Sequence, residues 1–321
     1  MTTLVTGAGL VGTSFARAAA QRGEEVVFYD ARTRDDFLRI SLPGNGYKII
    51  RKDLRDLPGL IGAIQDHAVA TIVFVAGSTG PGAETSLGME FALSVGGAAN
   101  VAEAARLCGV RRIVQISTAG VYDSRREGLG PIKESFPRGP GGAHENFKAA
   151  SELVLESYAR QHGLDLIVLR TANVFGIGRR RANGAAAGKL QELAQNGVAG
   201  RVVRLPTSQT IARDYLYAKD LGMLIDRAAV APMPKQTMFN AGSGQLTAFD
   251  DLIETARRVL PDLRIELDHD GRPRAVGRPL DISAALRHFG WAPQYSLEDG
   301  FRDYVEDLRR LGLDALERIR R

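Results

Sequence analysis

Residues 6–12, TGAGLVG, followed by an acid at Asp30, constrain this chain more than any other stretch. Residues 2–5 ahead of the turn have the apolar, β-branched pattern of a buried strand. Residues 10–22 predict a helix with Phe15, Ala18 and Ala19 on one face. Residues 25–29 predict a second strand that ends at Asp30. A strand, a glycine turn, a helix and a strand with a terminal carboxylate together meet the physical demands of a dinucleotide. Gly7 permits the tight turn. Gly9 lets the backbone approach a pyrophosphate, and Gly12 lets the helix pack closely on the strand. The pyrophosphate then rests on the amides and positive dipole end of the helix. Asp30 accepts hydrogen bonds from the adenosine ribose and repels a 2′-phosphate there. NAD is therefore expected over NADP, although Arg32 and Arg34 pull the other way.

The chain of 321 residues is long enough to bury about 75% of its unfolded surface. No apolar run approaches the roughly 20 residues that span a bilayer, so no membrane partner is expected. The first residues run straight into a strand, with no signal-peptide pattern. The one cysteine, Cys108, has no internal partner, and a cytoplasmic location is the expectation. The charge of +5 is dispersed, with no basic stripe interleaved with aromatics, so no nucleic-acid partner is expected. The arginine run at Arg179, Arg180 and Arg181 suits a solvated loop or an acidic substrate. His67, His162, His269 and His288 have no metal-ligand spacing with acids or Cys108, and no metal is expected.

Strand patterns recur at 48–51, 71–75, 112–117 and 166–170, with helical patterns at 57–68, 85–107 and 145–161 between them. Such alternation predicts an α/β fold, a Rossmann-type doubly wound parallel sheet covered on both faces. Ligands of such sheets gather at the carboxyl ends of the strands. The glycine turn, VAGSTG (75–80), ISTAGVY (116–122) and RTANVFG (170–176) all fall there. After about residue 175 the alternation breaks. The expectation is a dinucleotide-binding domain over 1–175, to which later segments return, and a smaller, mainly substrate-binding region over 176–321.

These segments resemble the extended short-chain dehydrogenase/reductases, the group of NAD-dependent sugar epimerases and dehydratases. ANVAEAARLCGVRRIVQISTAGVY (99–122) is similar to the family's helix, strand and serine/threonine motif. LRTANVFGIG (169–178) is similar to its nicotinamide and substrate loop, and ARDYLYAKDL (212–221) and FNAGSGQLTAFDDL (239–252) to its substrate-region segments. DISAALRHFGWAPQYSLEDGF (281–301) is similar to its C-terminal signature. DLRD (53–56) is similar to the adenine-contacting segment and implies cofactor contacts at Asp53 and Leu54. The resemblance further implies cofactor contacts at Leu10, Val11, Arg32, Val75, Ala76, Gly77 and Lys148. It implies a homodimer built on helices 85–107 and 145–161, with Phe91, Leu93, Leu153 and Leu155 at the interface.

Three features depart from that family. The glycine turn is one residue shorter than usual. VAGSTG stands where a His and two Ala are commoner. The family's acid/base tyrosine, one helical turn before its lysine, is replaced: in HENFKAASE (144–152) the lysine is Lys148 and the tyrosine position holds His144. Thr118 falls at the family's catalytic Ser/Thr, and Tyr122, later in that motif, is expected to pack or line the cleft.

Oxidising an alcohol needs a base for the hydroxyl proton while hydride departs. A phenol, with a pKa of about 10, needs a neighbouring cation to serve; an imidazole, at about 6.5, serves near neutrality unaided. Lys148 nearby biases that imidazole further toward its neutral form. The catalytic set expected is thus Thr118, His144 and Lys148, with another base or a water as the competing source of proton transfer. Resemblance places Asn173, Arg213 and Arg272 at the substrate. Arginine suits phosphate through its planar fork, and a nucleotide sugar or a sugar acid fits the same side chains. The resulting expectation is an NAD-dependent oxidoreductase or epimerase acting on a secondary hydroxyl of a sugar-like small molecule. The alternative is a non-catalytic NAD-binding sensor or assembly protein that has lost its tyrosine.

Overall fold

The computed structural model describes residues 1–42, 44, 46–75, 86–126, 128, 130–178, 187–206, 212–268 and 277–312. In chain order the strands are β1 (Thr2–Thr6), β2 (Glu25–Tyr29), β3 (Tyr47–Ile50), β4 (Val69–Phe74), β5 (Arg112–Thr118), β6 (Asp165–Thr171), β7 (Asn173–Phe175), β8 (Val203–Pro206), β9 (Tyr215–Tyr217), β10 (Met238–Ala241) and β11 (Ile265–Asp268). Seven of them form one sheet in the order β10-β6-β5-β4-β1-β2-β3, every pairing parallel. The order reverses between β1 and β4, which opens a crevice at their carboxyl ends. Two small parallel pairs, β8 with β11 and β7 with β9, lie outside the main sheet. The doubly wound sheet read from the sequence is thus the observed one.

Alternate residues of each strand enter opposite cores, as the two-residue period requires. Leu4, Ile113 and Val168 join the core under helices α3 (Leu57–Asp66), α5 (Gly97–Cys108) and α6 (Ala143–His162). Val5, Val114 and Leu169 join the larger core on the other face, with α1 (Leu10–Gln21) and α8 (Ala218–Val230). β10 and α8, both late in the chain, lie against the first half: β10 extends the sheet beyond β6, and α8 packs on α1.

Two expectations change. The helix read over 85–107 is not continuous: α4 (Leu87–Phe91) passes through one π turn, Ala92–Gly96, before α5 begins. Leu155 is 1% exposed and belongs to the sheet core, whereas Phe91 and Leu153 are 52% and 53% exposed. Leu155 and Leu153 lie two residues apart on α6, so they cannot share a face.

Candidate active site

The glycine turn joins β1 to α1. Gly7, at φ +105°, takes a backbone conformation that side chains rarely adopt, and its N–H donates to Tyr29 O on β2 at 3.1 Å. A Cβ on Gly12 would stand 2.1 Å from Gly7 O, so only glycine lets α1 approach the turn this closely. Among the described residues beyond its own turn, no atom lies within 4 Å of where a Gly9 Cβ would be, leaving that backbone open. Leu10 is buried beneath the turn and Val11 is half-buried.

Asp30, just past β2, is fixed by two main-chain donors. One carboxylate oxygen accepts from Ala8 N at 2.8 Å and the other from Arg32 N at 2.7 Å. The Arg34 guanidinium lies 5.0 Å from the Phe37 ring centre. Asp53 is held by Arg55 at 2.8 Å and drawn below the usual carboxylate range by that hydrogen bond, with Arg32 adding to the effect. Leu54 is buried against α5, where Asn100 Nδ2 donates to its carbonyl at 2.8 Å. Val75 N donates to Thr6 Oγ1 at 3.1 Å, locking the end of β4 to β1. The open Gly9 backbone, the close Gly7–Gly12 approach and the fixed Asp30 carboxylate all fit a dinucleotide. Ala76 and Gly77 lie outside the described residues.

The reacting end is built from β5 and the first turns of α6. Thr118 ends β5, and its Oγ1 accepts from Gly120 N at 3.1 Å. A hydroxyl that accepts in this way keeps its own proton to donate to a substrate oxygen. Lys148 is buried, and its Nζ donates to Ile116 O at 2.9 Å and Val75 O at 3.3 Å, below the carboxyl ends of β5 and β4. Burial lowers its pKa to about 8, against an opposing pull from Glu152. His144 is half-buried in the first turn of the same helix, one turn from Lys148. Tyr122 packs: it is 4% exposed, donates to Asn240 Oδ1 at 2.6 Å and lies under the Arg170 guanidinium. Burial pushes its phenol up to about 12.

Beneath these groups lies a buried ion cluster that sequence reading did not bring out. Glu152 is 0% exposed and accepts from Ser117 Oγ at 2.5 Å, from Arg170 at 2.7 Å and from Arg138 at 2.7 Å. The guanidinium contacts outweigh burial and hold its carboxyl below the usual range. This cluster ties α6 to the strand residue beside Thr118, fixing the helix that carries His144 and Lys148.

At the other end of the crevice, Asn173 Nδ2 donates to Asp214 O at 2.9 Å, which joins β7 to β9 and sets Asn173 beside Arg213. Arg213 is half-buried, and burial lowers its pKa. Lys189, on α7 (Ala187–Val198), is 2% exposed; burial first, and then Arg213, lowers it to about 8. Lys189 Nζ, Arg213 Nε and the Tyr215 hydroxyl have no hydrogen-bond partner among the described residues. Asp214, the acid next in sequence, is spent on Ser243 and Leu280 N–H groups. Among the described residues no carboxylate contributes to the shift of either cation, a setting that favours an anion. Lys189 and Tyr215 escaped the sequence reading; the available signal was a lysine among the buried apolar positions Leu190, Leu193 and Ala194. Arg272 lies outside the described residues.

The parallel sheet, the glycine turn at its switch point and the acid that ends the second strand define a dinucleotide-dependent α/β enzyme. The chain belongs to the NAD dependent epimerase/dehydratase family, whose model matches residues 3–242. It is an NAD-dependent enzyme of the epimerase/dehydratase type, and NAD is its cofactor. Among curated relatives, a UDP-glucose 4-epimerase of Mycolicibacterium smegmatis is 28% identical over 96% of this chain and 99% of its own. A dTDP-glucose 4,6-dehydratase of Streptomyces antibioticus is 27% identical over 97% of this chain and 91% of its own. Among solved structures, the dTDP-glucose 4,6-dehydratase of Bacillus anthracis in complex with NAD superposes with a TM-score of 0.84 at 21% identity, covering 100% of both chains.

Proposed function

We propose that this chain oxidises, transiently or for release, a secondary hydroxyl of a nucleotide sugar. The observation that carries the substrate class is the Lys189–Arg213 pair, a buried and a half-buried cation close enough to repel, neither with a hydrogen-bond partner on its Nζ or Nε among the described residues. A diphosphate supplies the charge, and the arginine fork matches its oxygens. The names of the relatives, nucleotide-sugar epimerases and dehydratases among them, support the same class. They do not favour a non-catalytic sensor.

In this reading Thr118 donates to the reacting oxygen, and His144 takes its proton. NAD, when bound, supplies the hydride acceptor. Lys148 stands where an ammonium reaches the nicotinamide ribose. Gly7, Gly9, Gly12 and Asp30 hold the pyrophosphate and adenosine ribose, with Leu10, Val11, Arg32, Asp53, Leu54 and Val75 lining the remainder. Asn173 and Arg213 contact substrate. Imidazole is shorter than phenol, and about 1 Å of misplacement costs roughly 100-fold in rate. The substrate must therefore sit deeper against α6 than it would opposite a tyrosine. Retention of product until hydride returns gives an epimer, and release after one transfer gives a dehydrogenase. The reading includes a homodimer, supported by the exposed Leu87, Met89, Phe91 and Leu153 on α4 and α6, and a cytoplasmic location, supported by the single cysteine.

The test is incubation of the purified protein with NAD and, in turn, UDP-glucose, UDP-glucuronic acid and dTDP-glucose. Products are separated by ion-exchange chromatography and reduced nicotinamide is followed by absorbance. Conversion of at least one sugar nucleotide is expected. A protein that neither binds nor converts any of them overturns the proposal.

A further inference from the structure

Three glycines surround one acidic side chain beside Thr118. A Cβ on Gly120 would lie 2.5 Å from Glu145 Cγ and 3.4 Å from its Oε1. A Cβ on Gly141 would lie 2.7 Å from Glu145 Cβ, and one on Gly142 would lie 2.7 Å from Glu145 Oε2. The space that three side chains would fill is instead occupied by the one side chain of Glu145. Gly120 is the residue whose N–H donates to Thr118 Oγ1, so the carboxylate rests on the turn that presents the site hydroxyl. Glu145 follows His144 in sequence and is three residues from Lys148, close enough on α6 to share its site-facing side. The Glu145 carboxylate is half-buried, with no hydrogen bond or ion pair among the described residues. The neighbouring carboxylates, by contrast, are engaged: Glu152 by Ser117, Arg138 and Arg170, and Asp123 by Arg125 and Arg126.

We propose that Glu145 is a specificity-determining residue that accepts hydrogen bonds from sugar hydroxyls next to the one that reacts. The inference rests on the nucleotide-sugar reading above and adds a residue outside the Thr118, His144 and Lys148 set. An ionised carboxylate is acceptor-only, with two oxygens to receive the two donors of a vicinal diol. With Thr118 donating to the reacting oxygen and Glu145 accepting from its neighbour, the ring is oriented from both sides. A Cβ on Gly120 would meet Glu145 Cγ and force the side chain, and its carboxylate with it, to move.

The experiment compares the affinities of UDP and UDP-glucose by calorimetry on NAD-loaded protein, for wild type, Glu145→Ala, Gly120→Ala and the double variant. Wild type is expected to gain affinity from the sugar. Glu145→Ala should weaken UDP-glucose about 10- to 100-fold, the range of a charge-assisted hydrogen bond, and leave UDP unchanged. Gly120→Ala should cause a similar loss alone and little further loss on top of Glu145→Ala, because both act through one carboxylate. Glu145→Ala binding UDP-glucose like wild type overturns the proposal. So does a Gly120→Ala effect of equal size with and without Glu145. Wild type that binds neither UDP nor UDP-glucose overturns the nucleotide-sugar reading, and this proposal with it. Circular dichroism of each variant separates loss of fold from loss of contact.

Discussion

The carboxylate of Asp30 accepts the main-chain N–H of Ala8 at 2.8 Å, so the acid at the end of β2 and the glycine turn after β1 form one rigid unit. Its second oxygen is tied to Arg32 N at 2.7 Å, and Arg34 is drawn onto Phe37. A ribose 2′-phosphate would meet a fixed negative charge. NAD is expected to bind more tightly than NADP by at least about tenfold, which parallel titrations of intrinsic fluorescence measure. Asp30→Ala should weaken NAD and narrow that ratio. Equal affinities in the wild type would contradict the assignment.

Gly12 meets a harder limit. With Gly7 O only 2.1 Å from its would-be Cβ, Gly12→Ala must push α1 off β1, because the obstructing atom is backbone and cannot rotate away. Overpacking of this kind costs about 1–3 kcal/mol. The variant should melt several degrees lower and lose most of its NAD affinity, read by thermal denaturation with and without NAD. A variant that melts like wild type and gains the same stabilisation from NAD would show that the turn relaxes without cost.

Lys189 gives a prediction with a definite sign. Burial and Arg213 hold it at about 8. A bound diphosphate favours the ammonium and raises that pKa. Near pH 8 to 9, UDP binding should therefore take up protons, and UDP affinity should fall as pH rises through that range. Calorimetry in two buffers of different ionisation enthalpy measures the uptake, and Lys189→Met should abolish it. The same depression bears on folding. The unfolded lysine, at about 10.4, binds more protons than the folded one between pH 8 and 10.4, so the burial cost is present in full below pH 8 and is relieved above it. Buried Lys148, also at about 8, adds to this in the same direction.

How far the sequence carried the reading follows from how local each feature is. The glycine turn, Asp30 and the spacing of His144 to Lys148 are set by neighbours along the chain, and each was legible. The two-sided core was legible because β5 and β6 are apolar on successive residues. Lys189 was not, because its meaning arises from burial and from Arg213, which reaches it through the fold rather than through the sequence. Glu145 and Gly120 are likewise a pairing across two elements, and a glycine in a loop gives no sign of which side chain takes its space. The π turn at Ala92–Gly96 breaks a helical pattern whose residues are compatible with a regular helix. The apolar character of Leu155 fits an interface as well as a core, because it does not say which side of α6 faces the sheet.

The exposed apolar residues of α4 and α6 bear on assembly. Leu87, Phe91 and Leu153 are 65%, 52% and 53% exposed, and the Phe91 and Phe147 rings meet edge to face at 6.0 Å across these two elements. Single apolar residues on a surface are ordinary, whereas a contiguous set on two adjacent helices marks an association face. The protein is expected to sediment as a dimer at micromolar concentration. Phe91→Asp with Leu153→Asp should shift it to monomer while leaving the circular dichroism spectrum unchanged, since neither side chain belongs to the core. A wild-type monomer in analytical ultracentrifugation would sink the dimer.

His144 occupies the position where the resembled family carries a tyrosine, and its chemistry separates the possible proton acceptors. If imidazole is the base, activity should rise with pH through a group titrating near or below neutrality, as the ring loses its proton. A phenol-based site would rise later, and the fall from Lys148 losing its proton near 8 would then cut into it from the alkaline side. His144→Ala should lower turnover about 100- to 10,000-fold, the range for general acid–base catalysis. NAD affinity should be nearly unchanged, because the groups proposed to carry it, the glycine turn, Asp30 and Lys148, are left in place. His144→Tyr tests geometry: a pocket adapted to the shorter ring places the substrate too close for phenol, and this variant should not exceed wild type. Near-full turnover in His144→Ala would assign proton transfer to a water or another side chain, and the loss of the acid inflection in His144→Gln would then be absent as well.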